Sequence, residues 1–551
     1  MAKSSASSFF EKGNYGINGR VVTMKLESEI LEDATIYIQD GVIQEIVTSG
    51  APIPDTLKDL PVIKSRGTIF PGLIELHNHL SYNCLPLWPV PKKFCNRSQW
   101  AGIPLYQQLI SGPMSILGKT PEYASAIVRY VECKCLVAGV TTTQGIMLFS
   151  NAGIKKFYQG VVRNVEDGSD PRLPAVDAHI PDIAARDAAH FLKQLSKSSC
   201  LLLHLSEGAD SSAHKHFEAL KINDDTWAIT SALAGIHCVA LKREDFDLMK
   251  NKGASMVWSP MSNLMLYGTT ADMIAAKASG IVIGIGSDWS PSGSKNLLAE
   301  LKAAKLYSDQ NGHLFSDYEL ISMATVNAAK IIKWDQYIGS IEKEKLADLL
   351  ILEGQNDDPY RQLLHVSEKD IRLVVINGKA RHGDKALMKQ FGQGTEEIKI
   401  GTSKKLLNLA DEASNSVVNQ LKLSDAARKL KTGLKDLKMV ARARPMLKEL
   451  ITSDHERISV PAEPVSTKEM EASFVLILDH NEEEGESLRL HIPVNGEMTV
   501  PQAKAQLKPE DLPSIKLDPL CVNNDKSYFK NIENALNLPD YIKTGLKNFY
   551  S

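Results

Sequence analysis

A chain of 551 residues, 43% hydrophobic and 23% charged, has an ordinary globular composition and is too long for one ordinary core, so two or three domains are expected. Its formal net charge of −3 gives no electrostatic case for a nucleic-acid or membrane partner. Seven scattered cysteines, an odd number, do not read as a disulfide framework.

The first residues, Met1-Ala-Lys-Ser-Ser-Ala-Ser-Ser-Phe-Phe-Glu-Lys12, lack the apolar core of a secretion signal. No segment approaches the roughly 18 apolar residues of a membrane helix, so the expected location is the cytoplasm. From Ala34 to Val47, alternating residues break at Asp40-Gly41 and predict a β-hairpin. The apolar run from Thr68 then ends in His77-Asn78-His79. Side chains two apart on a strand share a face, so these imidazoles can converge on one ion, and the pair reads as half of a metal site. The following segment, from Tyr82 through Trp88 and Arg97 to Trp100, is rich in aromatics and prolines and is placed at a pocket mouth. There Trp88 and Trp100 can stack on a planar ring and Arg97 can pair with a carboxylate or phosphate; a rigid structural loop is the equal alternative. Cys133-Lys-Cys135 falls in a predicted helix, where residues two apart do not share a face, so buried thiols are expected rather than metal ligands.

Strand candidates follow at Ile69 to Leu76, Gly139 to Ile146, Val161 to Val165, Pro174 to His179, Leu201 to Leu205, Ala234 to Cys238, Ser255 to Ser259 and Ile281 to Ser287. Helical stretches such as Asp182 to Leu195 and Leu297 to Leu306 lie between them, which predicts parallel α/β winding; eight candidates fit a (β/α)8 barrel. Only about ten residues separate the third and fourth candidates, less than a crossover helix usually needs, so distortion is expected there. Three later runs end in metal-ligand residue types: Leu201 to His204 with Glu207 three residues on, Gly235-Ile-His237, and Ile281 to Asp288. His214 and His216 imitate the first pair but fall at a helix start, where a surface role is expected. Short strands return at Ala347 to Leu352 and Ile371 to Gly378, to complete one small β-sandwich with residues 19 to 62.

After Gly394 the character changes. Leu406 to Leu450 has helical spacing, Ser473 to Pro493 reads as a hairpin around an acidic loop, and a short amphipathic helix is expected around Asn531 to Phe549. No chemistry is recognisable there, and the region reads as a packing or homo-oligomer-contact module.

The segments Phe70-Pro-Gly-Leu-Ile-Glu-Leu-His-Asn-His79, Gly139-Val-Thr-Thr-Thr143, His204-Leu-Ser-Glu207, Trp258-Ser-Pro-Met-Ser-Asn263, Gly286-Ser-Asp288 and Ala324-Thr-Val-Asn-Ala-Ala-Lys330, with the closing stretch Ile338 to Ile351, resemble the amidohydrolase superfamily. The likeness is to the branch of guanine and cytosine deaminases and triazine hydrolases, and it runs from about residue 15 to 385. It implies a TIM-like barrel at 67–345 inserted into a discontinuous β-sandwich, whose parts are 1–66 and 346–394; residues 395–551 lie beyond the resemblance and read from their own pattern as an α+β extension. It further implies one divalent metal, zinc or in its place iron or manganese, held by His77, His79, His204 and Asp288. Such a metal activates a water, while Glu207 shuttles its proton to a ring nitrogen, Asp288 takes a second proton, and His237 orients the water or steadies developing charge. A bridging carboxylated lysine is not available at Pro174-Ala-Val-Asp-Ala-His179, so a single metal is favoured. The reaction expected is hydrolysis of a carbon–nitrogen bond in a small molecule, with deamination of a nitrogen heterocycle first. A cyclic-amide hydrolase similar to imidazolonepropionase is the alternative, and an inactive scaffold barrel the third. Tyr82, Trp88, Arg97 and Trp100 are the candidate substrate residues.

Overall fold

The computed structural model describes residues 10, 13–443, 475–476 and 508–550, apart from 119, 146, 150–154, 158–159, 169, 181, 393, 395, 413 and 415. The chain opens with β1 (Tyr15–Val22), β2 (Ile30–Gln39), β3 (Val42–Thr48) and β4 (Val62–Pro71). β2 and β3 form the predicted hairpin, with Gln39 opposite Val42. Asp40 and Gly41 both take positive φ, +50° and +80°, as a two-residue turn matching the strand twist requires.

A parallel region follows. β5 (Leu73–Glu75), β6 (Val140–Thr143) and β9 (Arg163–Asn164) make one three-stranded sheet, and the short antiparallel pair β7 (Met147–Phe149) and β8 (Lys155–Phe157) lies between the last two in sequence. β10 (Asp177–His179), β11 (Leu201–Leu205), β12 (Leu233–His237), β13 (Ser255–Trp258) and β14 (Val282–Ile285) make a five-stranded parallel sheet in chain order. The third and fourth strand candidates shrink to two and three residues. Among the described residues no helix separates them. A hydrogen bond from Val176 N to Val165 O at 2.8 Å links them instead, because the intervening residues are too few for a crossover. At the other edge, Leu76 N donates to Ile285 O at 3.3 Å, so β14 runs beside β5.

Alternation along these strands sorts their side chains. Leu201, Leu203 and Leu205 pack outward into the large core, whereas Cys200 and Leu202 join Ile74, Leu76, Ala234, Ile236 and Val257 in an inner cluster. His204 continues the inner set beyond Leu202.

β15 (Leu349–Glu353), β16 (Ile371–Ile376), β17 (Lys379–Asp384), β18 (Glu396–Ile400) and β19 (Ser403–Leu407) return to the first sheet. The two stretches expected to form a sandwich lie in one continuous nine-stranded sheet, ordered β18-β19-β17-β16-β15-β4-β1-β2-β3. β4 and β15, whose pairing is antiparallel, join the halves across the intervening chain.

Leu406 and Leu407, expected to open a long helix, belong to β19; helices follow at Ser416–Gln420, Leu423–Lys435 and Leu437–Ala443. The expected hairpin of residues 473–493 lies outside the described residues except for 475 and 476. The terminal amphipathic segment is present as helices Tyr528–Asn534 and Asp540–Phe549. The helix Pro121–Val137 is buried from Tyr123 to its end, and a helix buried on every side needs cover on every side. The helix Leu423–Lys435 supplies part of that cover, with Gly433 against the Tyr123 ring. Cys133 and Cys135 are buried free thiols, as expected.

Candidate active site and metal centre

The apolar runs of the parallel strands end in polar side chains that meet in a buried cluster. Asp288 Oδ1 lies 3.2 Å from His77 Nε2 and 3.3 Å from His79 Nε2, and His79 Nε2 faces His204 Nε2 at 3.2 Å. Donor atoms of His77, His204 and His237 also lie within 4.8 Å of one another. Two loop backbones meet here, with His79 N donating to Asp288 O at 2.6 Å and Asp288 N to His77 O at 3.0 Å. The alternation of β12 ends at its last residue: His237 takes φ +66° and Cys238 +53°, and the His237 ring lies 5.1 Å from that of His77. Asp288 takes φ +64°. Left-handed backbone at non-glycine residues costs about 1–3 kcal/mol each and gathers at functional sites.

The chemistry of this donor set fits a divalent ion. His77 has no hydrogen-bond partner at either ring nitrogen, and buried polar atoms left that way are rare in a finished core. Burial, reinforced by the neighbouring imidazole of His77, holds His79 and His204 well below the ordinary histidine pKa, so both are neutral at pH 7, the state in which an imidazole can bind a metal. Burial alone would raise the Asp288 carboxyl, but His77, whose Nε2 stands 3.2 Å away, and His79 hold it below the usual carboxylate range. Three imidazoles and a carboxylate make a site of the kind zinc takes.

Glu207 stands on the loop after β11, with Oε2 3.8 Å from His237 Nε2 and 3.9 Å from Arg97 Nε. Tyr267 OH donates to Glu207 Oε1 at 2.7 Å, and Trp100 Nε1 donates to Tyr267 OH at 2.9 Å. His237 Nδ1 donates to Asn263 Oδ1 at 2.9 Å, which leaves Nε2 unprotonated and facing the cluster. Sequence reasoning missed Asn263 and Tyr267 as site residues. Their spacing of four on the helix Pro260–Tyr267 puts both on one face, a signal available once Asn263 had been noticed in Trp258-Ser-Pro-Met-Ser-Asn263.

The segment after His79 is brought to the site, though not as an open aromatic platform. Tyr82 packs edge-on to Trp289 at 5.2 Å, Trp100 packs against Tyr106 at 5.2 Å, and Trp88 against Tyr106 at 5.8 Å, all buried. Arg97 donates to Ile180 O at 2.8 Å and keeps partial exposure. Trp289, next to Asp288, is the hub of this cluster and went unnoticed as such in the sequence. His214 and His216 turn away to Asp245 and Asp182.

The sequence pattern of the amidohydrolase family matches residues 68–381, more than half of the chain. The chain belongs to the amidohydrolase family. It is a metal-dependent hydrolase of carbon–nitrogen bonds other than peptide bonds. A 5-methylthioadenosine/S-adenosylhomocysteine deaminase of Thermoanaerobacter pseudethanolicus is 26% identical over 401 residues, covering 66% of this chain and 92% of that one. A 5'-deoxyadenosine deaminase of Methanosarcina mazei is 21% identical over 409 residues, covering 67% and 93%. Among solved structures, an adenosine deaminase of Xanthomonas campestris with bound zinc superposes with a TM-score of 0.53 at 16% identity, over 67% of this chain and 92% of that one. The atrazine chlorohydrolase of Arthrobacter aurescens with zinc gives 0.53 at 19% identity, over 66% and 94%. Among the described residues no helix is long and apolar enough to cross a membrane.

Proposed function

We propose that this amidohydrolase removes an exocyclic amino group from the purine ring of an adenine nucleoside. The observation that carries this reading is Glu207, fixed by Tyr267 and facing His237 beside the histidine cluster. The named activities of the relatives point to the adenine ring. The frame proposed with it is a parallel barrel at 67–345, distorted at the β9–β10 edge, between sheet segments at 1–66 and 346–394, with residues 395–551 as an α+β extension; single hydrogen bonds at the β14–β5 and β9–β10 edges support it.

His77, His79, His204 and Asp288 would hold the metal, most readily zinc. A divalent ion there would supply Lewis acidity, which lowers the pKa of a water from about 15.7 toward about 7. Glu207 Oε1 is engaged by Tyr267, so Oε2 takes the proton from the attacking water and delivers it to the ring nitrogen next to the carbon attacked. His237, protonated on Nδ1 toward Asn263, presents Nε2 as an acceptor and orients that water. Asp288 takes the second proton and passes it to the departing nitrogen. The carbon–nitrogen bond breaks and ammonia leaves. Tyr82, Trp88, Arg97 and Trp100 shape the mouth: Arg97 faces the polar part of the substrate, while Tyr82, Trp88 and Trp100 act through the buried cluster that fixes its wall.

The test is metal content, followed by ammonia release across adenine nucleosides, free purines, pterins and triazines. Wild type should bind about one zinc and release ammonia from an adenine nucleoside. Glu207→Gln should keep its metal and lose roughly 10²- to 10⁴-fold in kcat. A wild type without divalent metal after reconstitution would sink the mechanism, and ring opening without ammonia would replace deamination by cyclic-amide hydrolysis.

A further inference from the structure

The family match ends at residue 381, yet two carboxylates that reach the parallel region from beyond it are buried there. Lys134, on the helix Pro121–Val137, and Lys295, seven residues past Asp288, expose only 2% and 4% of their side chains. Both point at Asp518: Lys134 Nζ lies 2.6 Å from Oδ2, and Lys295 Nζ 2.6 Å from Oδ1. Lys295 Nζ also meets Asp525 Oδ2 at 2.7 Å, so two ammonium groups face two carboxylates. A buried charge is tolerated only when it is paired, and here every paired carboxylate comes from the segment 508–550. That segment is pinned at the same point by its backbone, with Asp518 N donating to Cys84 O at 2.9 Å and Tyr130 OH donating to Asp518 O at 2.5 Å.

Lys134 spends its other two N–H groups on the loops that carry the metal-site residues. It donates to Asn83 O at 2.7 Å and to Ser290 Oγ at 3.0 Å. Ser290 lies two residues past Asp288, and its N donates to Asn83 Oδ1 at 2.8 Å. Asn83 Nδ2 donates to Asn78 Oδ1 at 3.0 Å, and Asn78 stands between His77 and His79. The Asp518 carboxylate is therefore one lysine away from both loops that converge at the cluster.

We propose that Asp518 is a positioning residue for the metal centre: by neutralising Lys134 it fixes Asn83 and Ser290, and through them the spacing of His77 and His79 from Asp288. The inference rests on the assignment of those residues as the metal site. It makes the segment 508–550 part of the site's framework, since removal of an outer-shell partner costs roughly 10- to 100-fold in metal affinity or activity.

The experiment uses full-length protein loaded with cobalt(II), whose visible absorption reports coordination geometry, and the rate of metal loss to a chelator. Asp518→Asn should shift the cobalt bands and speed metal loss roughly tenfold or more. Asp525→Asn, which loosens the same segment without touching Lys134, should lower Tm but leave spectrum and loss rate at wild-type values. If Asp518→Asn does not fold, the charge-free pair Lys134→Met with Asp518→Leu replaces it and should show the same spectral shift. Wild-type bands and loss rates in the Asp518 variant, or in the pair, would overturn the proposal and reduce the network to a staple. A wild type that takes up neither cobalt nor zinc would overturn the metal-site assignment itself, and this inference with it.

Discussion

Glu300 lies fully buried on the helix Leu297–Gln310, where Oε1 accepts a hydrogen bond from Met261 N at 3.1 Å and Oε2 has no hydrogen-bond partner. Burial is the largest influence on its carboxyl and pushes the pKa from the ordinary 4.5 up to about 8. Between those two values the folded chain keeps a proton that the unfolded chain has released, so the group's contribution to stability is full below about pH 4.5 and is lost as pH rises to about 8. Glu300→Gln keeps the shape and an oxygen for Met261 N while removing the titration. The variant should match wild type in Tm near pH 5 and exceed it near pH 8, as calorimetry at a series of pH values would record. A Tm difference constant across that range would show that Glu300 does not change protonation in this window.

At the scale of elements, the approach of β14's extension to that of β5 is set by a missing side chain. A Cβ on Gly286 would fall 2.5 Å from both N and O of His77, backbone atoms that cannot move without moving the pair His77 and His79, proposed above as metal ligands. Gly286→Ala should therefore reduce metal content and cost about 1–3 kcal/mol of stability as overpacking. Gly280, the left-handed cap (φ +73°) of the helix Met273–Ser279, has open space where a Cβ would go. Gly280→Ala should cost about 1–2 kcal/mol through backbone strain and keep its metal, so metal analysis beside Tm separates the two effects. The elements around this site differed in how plainly the sequence announced them. Leu201–Leu205 was legible to the residue, since a continuous apolar run between polar segments has few other uses in a parallel sheet. Arg163–Asn164 and Asp177–His179 were not, because strands of two and three residues carry too few side chains to display a period. His77, His204 and Asp288 were legible as strand-end ligand types. The hydrogen bond that fixes Glu207 was not, since Tyr267 comes 60 residues later.

Long-range pairing also explains what was hidden at the scale of the whole molecule. A lysine between two cysteines gives no local sign that its counter-ion lies 384 residues away, and the C-terminal region read from sequence as a packing module without chemistry. Its last helix, Asp540–Phe549, buries Ile542 and Leu546, a spacing of four that makes one apolar stripe. Between them Gly545 lets the backbone approach Leu306 so closely that a Cβ would fall 2.2 Å from its side chain. The helix thus covers Leu297–Gln310, the element that follows the Asp288 loop, and its end places Tyr550 and Phe549 5.3 and 5.8 Å from Lys302 Nζ. Leu546→Ala should then cost about 2–5 kcal/mol, as large-to-small changes in a packed interior do. All six tryptophans lie between Trp88 and Trp334, within the family-matched residues, so their fluorescence reports on that part of the chain and not on the helix being altered. If the C-terminal segment is framework, the tryptophan transition in denaturant should move to a lower midpoint in Leu546→Ala. If the segment is an appendage, that transition should stay at the wild-type midpoint while far-ultraviolet dichroism alone records the lost helix.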